Sequence, residues 1–554
     1  MRNVFRKSDS AVKAGDLILT EEPFAYVLSS KERGSRCDNC LEKCRLLKCS
    51  GCQFVYYCGK VCQIEAWNDH KWECVNIKKV SPKEVPDAAR ILAKIINRLK
   101  RGDGSSYKAY YSPTSFRMWK DLMSHYSDIK KDKKKMDHFT SLCVVLYEFL
   151  KDISLPNTVD LMGLYGRMVI NSFTILDMDM NSIGTGIYLA ASVIDHSCEP
   201  NAVATFDGKT ISIRAIKDMP TLDWRQIRIT YIDLMKTAFE RQVELQENYY
   251  FLCQCVRCMD EQLIKYCHAA KCLNTKCDSP VQVFWKKDVK LVKKPEKVKE
   301  KDDKQSHNGE ERASNSGKER ASNSAIERAS NSAIERASNS AIERASNSAI
   351  ERASNSAIER VSNSAIESSN TNGYHNSVEK DSNNDFEDSC EILWDICEKC
   401  DTKYTEERKR AFKDAMEYSE VHLQDMKGTS VAYVDVCKYC LERQEGVLHP
   451  LNVLHAQTLD HAFDALIQVQ LWEQACVYAE RLIPCFRFYY GQYHPLLGIL
   501  HMKYGKILLY KMDLNAALQQ FKQAQKILKI THGEKHILYR EHLMQLFNQA
   551  IIES

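Results

Sequence analysis

Cysteine and histidine residues crowd one short part of the sequence, where their spacing fits metal binding. Four pairs lie between residues 37 and 74, each with two or three residues between its members. The pairs are Cys37 with Cys40, Cys49 with Cys52, Cys58 with Cys62, and His70 with Cys74. A tight turn or a helical face can present both members of such a pair, and structural zinc takes four Cys or His ligands. Eight ligands therefore predict two tetrahedral zinc sites, which a segment this short needs in order to fold.

A second cluster offers three ligands, Cys253, Cys255 and Cys258. A tetrahedral zinc site needs four ligands, so the last must come from elsewhere in the chain. The candidate is Cys198, which lies well before the cluster. Zinc would then join two segments that are distant in sequence.

A third group of cysteines lies on both sides of a long repetitive segment. Its members are Cys272 and Cys277 before the segment, and Cys397 and Cys400 after it. The later pair has the spacing of a zinc knuckle, so one interpretation is a further zinc site from which the repeats loop out. The alternative is a set of unrelated reduced cysteines, because Cys267 and Cys390 offer competing pairings.

The composition excludes several classes of protein. The 554 residues include 78 Lys and Arg against 74 Asp and Glu, and 44% of them are hydrophobic. A wholly disordered chain would be less hydrophobic, and a strongly basic nucleic-acid-binding protein would carry more net charge than +4. No stretch approaches the roughly 20 apolar residues that span a bilayer, and the first residues lack the apolar core of a signal peptide. We therefore expect an intracellular protein whose 23 cysteines are reduced or bind metal.

Three patterns indicate how the chain is divided. The octad ERASNSAI recurs over residues 311–366 and predicts a disordered insert, since its period fits neither a helical stripe nor a strand. We favour a repeat expansion without function over a phosphorylatable tether. Residues 401–554 carry apolar residues at helical spacing, as at Leu471 and Ala475, and loosely resemble the paired helices of tetratricopeptide (TPR) arrays. Residues 186–231 contain strand-forming runs between turn residues, the last of which ends at Tyr231.

The segment 37–74 resembles a MYND zinc finger. The resemblance rests on the order of the pairs, on Tyr57 before the third pair, and on Trp67 and Trp72 around His70. In that family the pairs interleave, which implies one zinc on Cys37, Cys40, Cys58 and Cys62, and another on Cys49, Cys52, His70 and Cys74. MYND fingers are usually protein-interaction modules, so the resemblance implies a protein partner. Basic residues in the finger leave a weaker nucleic-acid role open.

A second resemblance covers nearly everything outside the repeats. The run Asp195-His-Ser-Cys-Glu-Pro-Asn201, the strand that ends at Tyr231 and the cysteine cluster at 253–258 resemble the SET domain of protein-lysine methyltransferases. With the finger and the helical C-terminal part, the chain resembles the SET-and-MYND methyltransferases. This implies a mixed α+β fold, in which a β-rich pseudoknotted SET core carries an inserted finger and a helical insert and is followed by an α-helical TPR-like C-terminal domain.

The resemblance also implies domain boundaries. They are 1–36 for the N-terminal SET segment, 37–74 for the finger, 75–160 for the helical SET insert, 161–236 for the core SET, 237–285 for the post-SET zinc region, 286–390 for the disordered insert and 391–554 for the C-terminal domain. Zinc would occupy three sites, those of the finger and the one that contains Cys198, and the third group of cysteines leaves a fourth open.

Site residues follow from the resemblance position by position. The implied contacts of S-adenosylmethionine are Asn3, Asn171, Asp195, His196, Tyr231 and Phe251, the last near the adenine. Tyr231 takes the place of the catalytic tyrosine, and Phe173 and Tyr249 wall the channel for the substrate lysine. Asp195 stands where the family usually has Asn. An ionised Asp accepts hydrogen bonds from the ammonium group of the cofactor but cannot donate to its carboxylate.

The sequence thus predicts an S-adenosylmethionine-dependent protein-lysine N-methyltransferase that acts on histone or non-histone proteins. The alternative is a catalytically weak SET-fold scaffold or transcriptional cofactor, which binds partners through the finger and the C-terminal helices. We expect the protein in the nucleus and the cytoplasm, with no association with membranes.

Overall fold

The computed structural model describes residues 4–6, 11–151, 153–283, 396–426 and 433–554. All of them lie in one of the two units into which the chain divides, the unit formed by residues 1–291 and 390–554. The predicted disordered insert at 286–390 and the predicted cofactor contact Asn3 lie outside the described residues. None of the helices in the described ranges is both long enough and apolar enough to cross a bilayer.

Two small antiparallel sheets dominate the part of the fold before the insert. The larger has the strand order Val4–Phe5, Leu17–Glu21, Thr210–Ala215, Ala202–Asp207. The smaller has the order Ala25–Leu28, Ser182–Ile187, Ser172–Leu176. In the strand Thr210–Ala215 every second side chain is buried, as at Ile211 and Ile213, because successive residues of a strand point to opposite faces. Strands between residues 186 and 231 are therefore confirmed.

A short parallel pair joins Asp195–His196 to Arg228–Ile229. The predicted strand is shorter than expected, because pairing stops at Ile229. Beyond it the Thr230 hydroxyl donates to the Ile232 carbonyl, so the chain bends at Tyr231. The remaining two-stranded pairs are Leu47–Lys48 with Tyr56–Tyr57, Ala109–Tyr110 with Phe116–Arg117, and Ala270–Lys271 with Pro280–Val281.

Helices make up most of the remaining described residues. Before the insert they are Lys60–Val80, Asp87–Lys100, Asp103–Ser106, Tyr126–Ile129, Lys133–Phe149, Thr158–Asn171, Ala238–Tyr249, Val256–Met259 and Glu261–Cys267. After it they are Glu406–Met426, Val434–Gln444, Val453–Gln468, Trp472–Tyr490, Pro495–Tyr510, Leu514–Thr531 and Met544–Glu553, the last preceded by a π-helical stretch at Leu538–Leu543. The prediction of a helical C-terminal part is confirmed, and the chain has a mixed α+β fold.

The C-terminal helices bury most of the predicted apolar stripe and use small residues where they approach each other, but Leu471 precedes its helix and is 44% exposed. Ala475 and Ala479 are fully buried in the helix Trp472–Tyr490. At Gly505 a Cβ atom would lie 2.7 Å from the ring of Phe521, so only glycine allows this approach without a shift of neighbouring atoms. Close packing of this kind, rather than helix propensity, supplies most of the stability of such helices.

The end of the helical part packs against the larger sheet. Gly533 has a φ of +82°, and a Cβ atom there would lie 2.4 Å from the guanidinium group of Arg214. Arg214 Nη1 donates to the Gly15 carbonyl at 2.9 Å, and His536 Nε2 donates to the Phe206 carbonyl at 2.9 Å. The buried His536 bond and the close approach of Gly533 to Arg214 therefore hold the last helices to the sheet.

Candidate metal centres and active site

The eight finger residues form two clusters, which we call the finger clusters. Within each, the potential ligand atoms all lie within 4.8 Å of one another, and the members are Cys37, Cys40, Cys58 and Cys62 in one and Cys49, Cys52, His70 and Cys74 in the other. The pairs thus interleave in the way that the resemblance implies. The exposed Cys44 belongs to neither cluster. Three cysteines with a histidine, and four cysteines, are ligand sets that structural zinc takes.

His70 is oriented by residues outside the ligand pattern. Its Nδ1 lies 3.1 Å from Glu73 Oε2, which directs Nε2 towards the cluster, 3.6 Å from Cys52 Sγ. Glu73 is buried and accepts from Arg90 Nε at 2.9 Å. Burial alone would raise the pKa of the Glu73 carboxyl, but the charges of Arg90 and Lys94 hold it well below its usual range. A carboxylate that fixes the ring of a ligating histidine typically strengthens metal binding.

Cys198 joins the cysteines at 253–258 in a third cluster, in which the four sulfur atoms again lie within 4.8 Å of one another. The Sγ atom of Cys198 is 3.9 Å from that of Cys253 and 3.5 Å from that of Cys258. Arg241 Nη2 donates to Cys258 Sγ at 3.6 Å, which suits a negatively charged thiolate. The predicted fourth ligand is therefore in position, and four sulfur atoms again fit zinc.

A fourth cluster brings together Cys272, Cys277, Cys397 and Cys400, with all four sulfur atoms within 4.8 Å of one another. Cys267, which offered a competing pairing, lies elsewhere and its thiol donates to the Leu263 carbonyl at 3.4 Å. Cys390 lies outside the described residues.

Four aromatic side chains form a closed group, which we call the ring cluster: His196, Tyr231, Tyr249 and Phe251. The ring centroids of Tyr231 and Tyr249 are 5.0 Å apart, and those of His196 and Tyr231 are 5.3 Å apart. Phe251 completes the group at 6.0 Å from His196 and 6.5 Å from Tyr249. The structure thus brings together four residues that the resemblance assigns to the cofactor, the reaction and the lysine channel.

His196 links the third cluster to Tyr231. The backbone N–H of Tyr231 donates to His196 Nδ1 at 3.1 Å, so in the neutral ring the proton lies on Nε2. That nitrogen is 3.2 Å from Cys198 Sγ and donates to it. The imidazole therefore positions the tyrosine against a metal-ligand candidate.

The Tyr231 hydroxyl is held in one place. It donates to the Ile194 carbonyl at 2.5 Å. Burial raises the pKa of Tyr231, and the nearby charge of Asp195 raises it further, so the hydroxyl keeps its proton at neutral pH. Burial likewise raises the pKa of Tyr249.

Asp195 and Asn201 stand at the two ends of the predicted motif. The Asp195 side chain is 76% exposed, and its Oδ2 is 3.9 Å from Arg228 Nη2. Asn201 fixes the other end, because its Nδ2 donates to the Gln226 carbonyl and its Oδ1 accepts from the backbone N–H of Arg228. The motif is therefore anchored to the strand that leads to Tyr231, while the Asp195 carboxylate faces solvent.

Asn171 and Phe173 make their contacts away from the ring cluster. Asn171 Nδ2 donates to the carbonyls of Met123 and Arg167, at the end of the helix Thr158–Asn171. The ring of Phe173 packs edge-on against Tyr188, with their centroids 5.6 Å apart. Their predicted roles stay predictions, as does that of Asn3.

Arg117 is a neighbour of the site that the sequence analysis missed. It comes from the hairpin at 109–117, and its Nη1 donates to the Ser192 carbonyl at 2.6 Å. Burial lowers its pKa, which the charges of Asp121 and Asp195 oppose. No local pattern distinguishes this arginine from others, because only the fold brings the hairpin to the motif.

Known proteins match this chain both locally and along most of its length. The MYND finger family model matches residues 37–74. A Mus musculus protein named histone-lysine N-methyltransferase SMYD3 is 23% identical over 541 residues, 97% of this chain and 92% of its own length, and its Homo sapiens counterpart is 24% identical over the same shares. A Homo sapiens protein named N-lysine methyltransferase SMYD2 is 31% identical over 253 residues, 44% of this chain and 55% of its own length.

Proposed function

The chain belongs to the family of SET-and-MYND lysine methyltransferases, and on that premise we propose that it transfers methyl groups from S-adenosylmethionine to protein lysines. The ring cluster is the observation that carries the proposal, because it gathers the implied catalytic tyrosine with three further predicted site residues. Histones are one candidate substrate class, since the names of three relatives contain the word, and other proteins are the second.

The small sheets before the insert would form the SET core. This is supported by the parallel pairing of Asp195–His196 with Arg228–Ile229, and by the bonds of Ser197 and Asn201 to the same strand. These contacts place the motif beside the strand that leads to Tyr231, which is compatible with the proposed pseudoknotted core. The helix pairs after residue 405 support a TPR-like C-terminal domain. The domain boundaries of the sequence analysis are part of the same proposal.

The residues around the ring cluster suit S-adenosylmethionine. The Asp195 carboxylate can accept from the ammonium group of the cofactor, and the face of Phe251 can pack against its adenine. Asn171 and Asn3 are proposed as further contacts. When bound, the cofactor supplies a methyl group on a positively charged sulfur, which makes that carbon electrophilic.

Tyr231 would orient the reacting groups without becoming covalently modified. Its hydroxyl proton is donated to the Ile194 carbonyl, so the oxygen lone pairs are available to an electron-poor methyl group or to an incoming amine. Displacement at a methyl carbon is in line, so the amine must arrive opposite the leaving sulfur. Holding that alignment is the main contribution we assign to the tyrosine.

The lysine would reach the site through an aromatic channel walled by Phe173 and Tyr249. Only the neutral amine is nucleophilic, and desolvation in such a channel lowers the pKa of an amine. The aromatic faces also attract the cationic form of the side chain before and after transfer. The chain's own residues thereby assist loss of the proton without a dedicated catalytic base.

The first experiment is calorimetric titration of S-adenosylmethionine into the zinc-loaded full-length protein, alongside Asp195→Asn. We expect binding by the parent protein, followed by transfer of labelled methyl groups to histones or to a protein mixture. Binding by Asp195→Asn alone would show that Asp195 prevents cofactor binding and would favour the scaffold function. Binding by neither protein would contradict the proposed cofactor site itself.

The second candidate function is a scaffold that binds partners through the finger. It is favoured by an exposed apolar stripe on the helix Lys60–Val80, in which Val61, Ile64 and Trp67 are 70%, 62% and 46% exposed. Apolar residues grouped on a surface commonly mark a protein-binding site. An enzyme could also use this stripe to recruit its substrates, so the stripe does not distinguish the two functions. Cofactor binding and methyl transfer do distinguish them. We propose that the protein acts in the nucleus and the cytoplasm. Its partners would be proteins, and the basic residues of the finger would give it a minor role in binding nucleic acid.

A further inference from the structure

The fourth cluster has the distances of a metal site. The Sγ atoms of Cys272 and Cys400 are 3.5 Å apart, and those of Cys277 and Cys397 are 3.9 Å apart. Four thiolates around zinc, with Zn–S bonds of about 2.3 Å, lie about 3.8 Å from one another. A disulfide would instead bring two sulfur atoms to about 2.05 Å. The finger clusters show the same range, with 3.9 Å between Cys40 and Cys58.

The backbone at Cys397 repeats a turn that the finger uses twice. In each case the residue after the second cysteine has a positive φ: 66° at Leu41, 56° at Gln53 and 54° at Asp401. Each of these three residues also donates its N–H to the carbonyl of the first cysteine at 2.9 Å. Residues other than glycine seldom adopt this conformation, so its recurrence after Cys-x2-Cys marks a shared ligand turn.

Cysteine spacing alone does not produce this turn. Cys437 and Cys440 have the same Cys-x2-Cys spacing, but they lie inside the helix Val434–Gln444 and belong to none of the described clusters. Cys437 instead donates its thiol to the Met426 sulfur. The chain thus provides an internal control, in which identical spacing occurs without a ligand turn.

Contacts around the cluster join segments from both sides of the insert. The sulfur pairs lie 120 and 128 positions apart in the chain. Tyr404 donates its hydroxyl to the Lys271 carbonyl, and Lys271 N–H donates to the Val447 carbonyl at 2.9 Å. Lys399 pairs with Asp278 at 2.7 Å on the exposed side. The cluster therefore stands where the helical C-terminal part begins.

We propose that Cys272, Cys277, Cys397 and Cys400 bind a fourth zinc ion, which joins the two ends of the inserted segment. The ion holds the hairpin at 270–281 to the turn that precedes the helix Glu406–Met426. The entropic cost of closing a loop rises only slowly with its length. A zinc site of this kind therefore tolerates a long repeat between its two pairs of ligands. The proposal does not depend on the methyltransferase activity.

The direct test is thiol alkylation of the folded full-length protein, mapped by mass spectrometry with and without a zinc chelator. We expect the four cysteines to react only after the chelator is added, whereas exposed Cys44 reacts at once. Cys437 and Cys440 should stay protected in both conditions, because burial and not metal shields them. Reaction of the four before chelation, protection that chelation does not remove, or a mass that shows a disulfide would overturn the proposal.

Zinc content gives a second, independent measurement. Elemental analysis should find four zinc ions per chain in the parent protein and in Cys437→Ala/Cys440→Ala. The variant Cys397→Ser/Cys400→Ser should contain three. Four ions in this variant, or three in the parent, would contradict the proposal. If the variant fails to fold, the alkylation pattern of the parent protein still decides.

Discussion

The finger draws all of its potential ligands from residues 37–74, whereas the ring cluster collects its members from residues 196, 231 and 249–251. In the finger each ligand is placed by the turn or helix that carries it, so local spacing determines the geometry. In the ring cluster the four rings come from three separate segments, and the Tyr231 backbone N–H donates to His196, which in turn contacts Cys198. We infer that the cysteine clusters organise the chain and that the ring cluster depends on one of them.

Tyr231→Phe should have the largest effect on activity, and it acts on the ring cluster alone. The change removes the hydroxyl and its bond to Ile194, so we expect methyl transfer to slow by about 10²–10³-fold. Cofactor affinity and thermal stability should stay close to those of the parent protein, because the ring and its packing remain. Transfer at the parent rate would refute the catalytic assignment, and Tyr249→Phe serves as the matched aromatic control.

Glu73→Gln tests how far the finger depends on a residue outside the ligand pattern. The change leaves buried Arg90 with only its longer 3.6 Å pairing to Asp38, so the free energy of unfolding should fall by about 3 kcal/mol, the low end of the range for a broken buried ion pair. The matched control is Glu84→Gln, which breaks an exposed ion pair with Arg33 and should cost under about 1 kcal/mol. Denaturant melts of both variants measure the difference, and equal losses would show that Glu73 has no special role.

Lowering the pH should reduce the stability of the helical C-terminal part, because His494 becomes protonated. Burial lowers the pKa of this histidine from 6.5 to about 4, so its charged form is disfavoured in the folded state. A lowered histidine pKa gives stability that is complete above pH 6.5 and is lost as the pH falls towards 4. The loss is on the order of 3 kcal/mol, at 1.36 kcal/mol per pKa unit.

Denaturant melts across this pH range measure the effect, and His494→Asn is the variant to compare. His494 caps the following helix by accepting from the Leu496 N–H, and asparagine can serve as a cap in the same way. The variant should therefore stay folded and lose less stability in acid. If the free energy of unfolding of the variant falls with pH as steeply as that of the parent protein, His494 is not the source of the acid sensitivity.

Cys198→Ser should have the smallest of these effects. It tests whether the third cluster supports the ring cluster. We expect cofactor affinity to fall by about 10–100-fold, because the third cluster loses a ligand and His196 loses the thiolate that orients it. Calorimetry would show this, with Cys40→Ser in the finger as the comparison. If both substitutions weaken cofactor binding equally, the third cluster has no special connection to the ring cluster.

Much of the fold could be predicted because its signals are local. The finger pairs, the alternation around Ile211 and the helical stripe through Ala475 depend on near neighbours in sequence. The end of the strand before Tyr231 was predicted too late, because the side-chain bond of Thr230 turns the chain there and spacing does not show it. Strand ends of this kind depend on single hydrogen bonds.

The contacts that could not be predicted from the sequence are those between segments that are distant along the chain. Arg117 reaches Ser192 from the hairpin at 109–117, and no periodicity places it there. The pairing of Cys272 with Cys400 competed with pairings that include Cys267, and the fold places Cys267 elsewhere. Glu73 resembles any charged helical residue in sequence, although it is buried beside a ligand. Such residues are recognised only once the tertiary contacts are known.

The larger sheet has a consequence for synthesis of the protein. Its strand Leu17–Glu21 leaves the ribosome early, but its partner Thr210–Ala215 follows 192 positions later, as the contact between Thr20 and Ser212 shows. At the usual 5–20 residues per second, the first strand waits about 10–40 s before it can pair. Gly533 and His536, which pack on the same sheet, emerge later still. During that interval an apolar strand edge is open to chaperones, and the native fold is completed only when the last helices have been made.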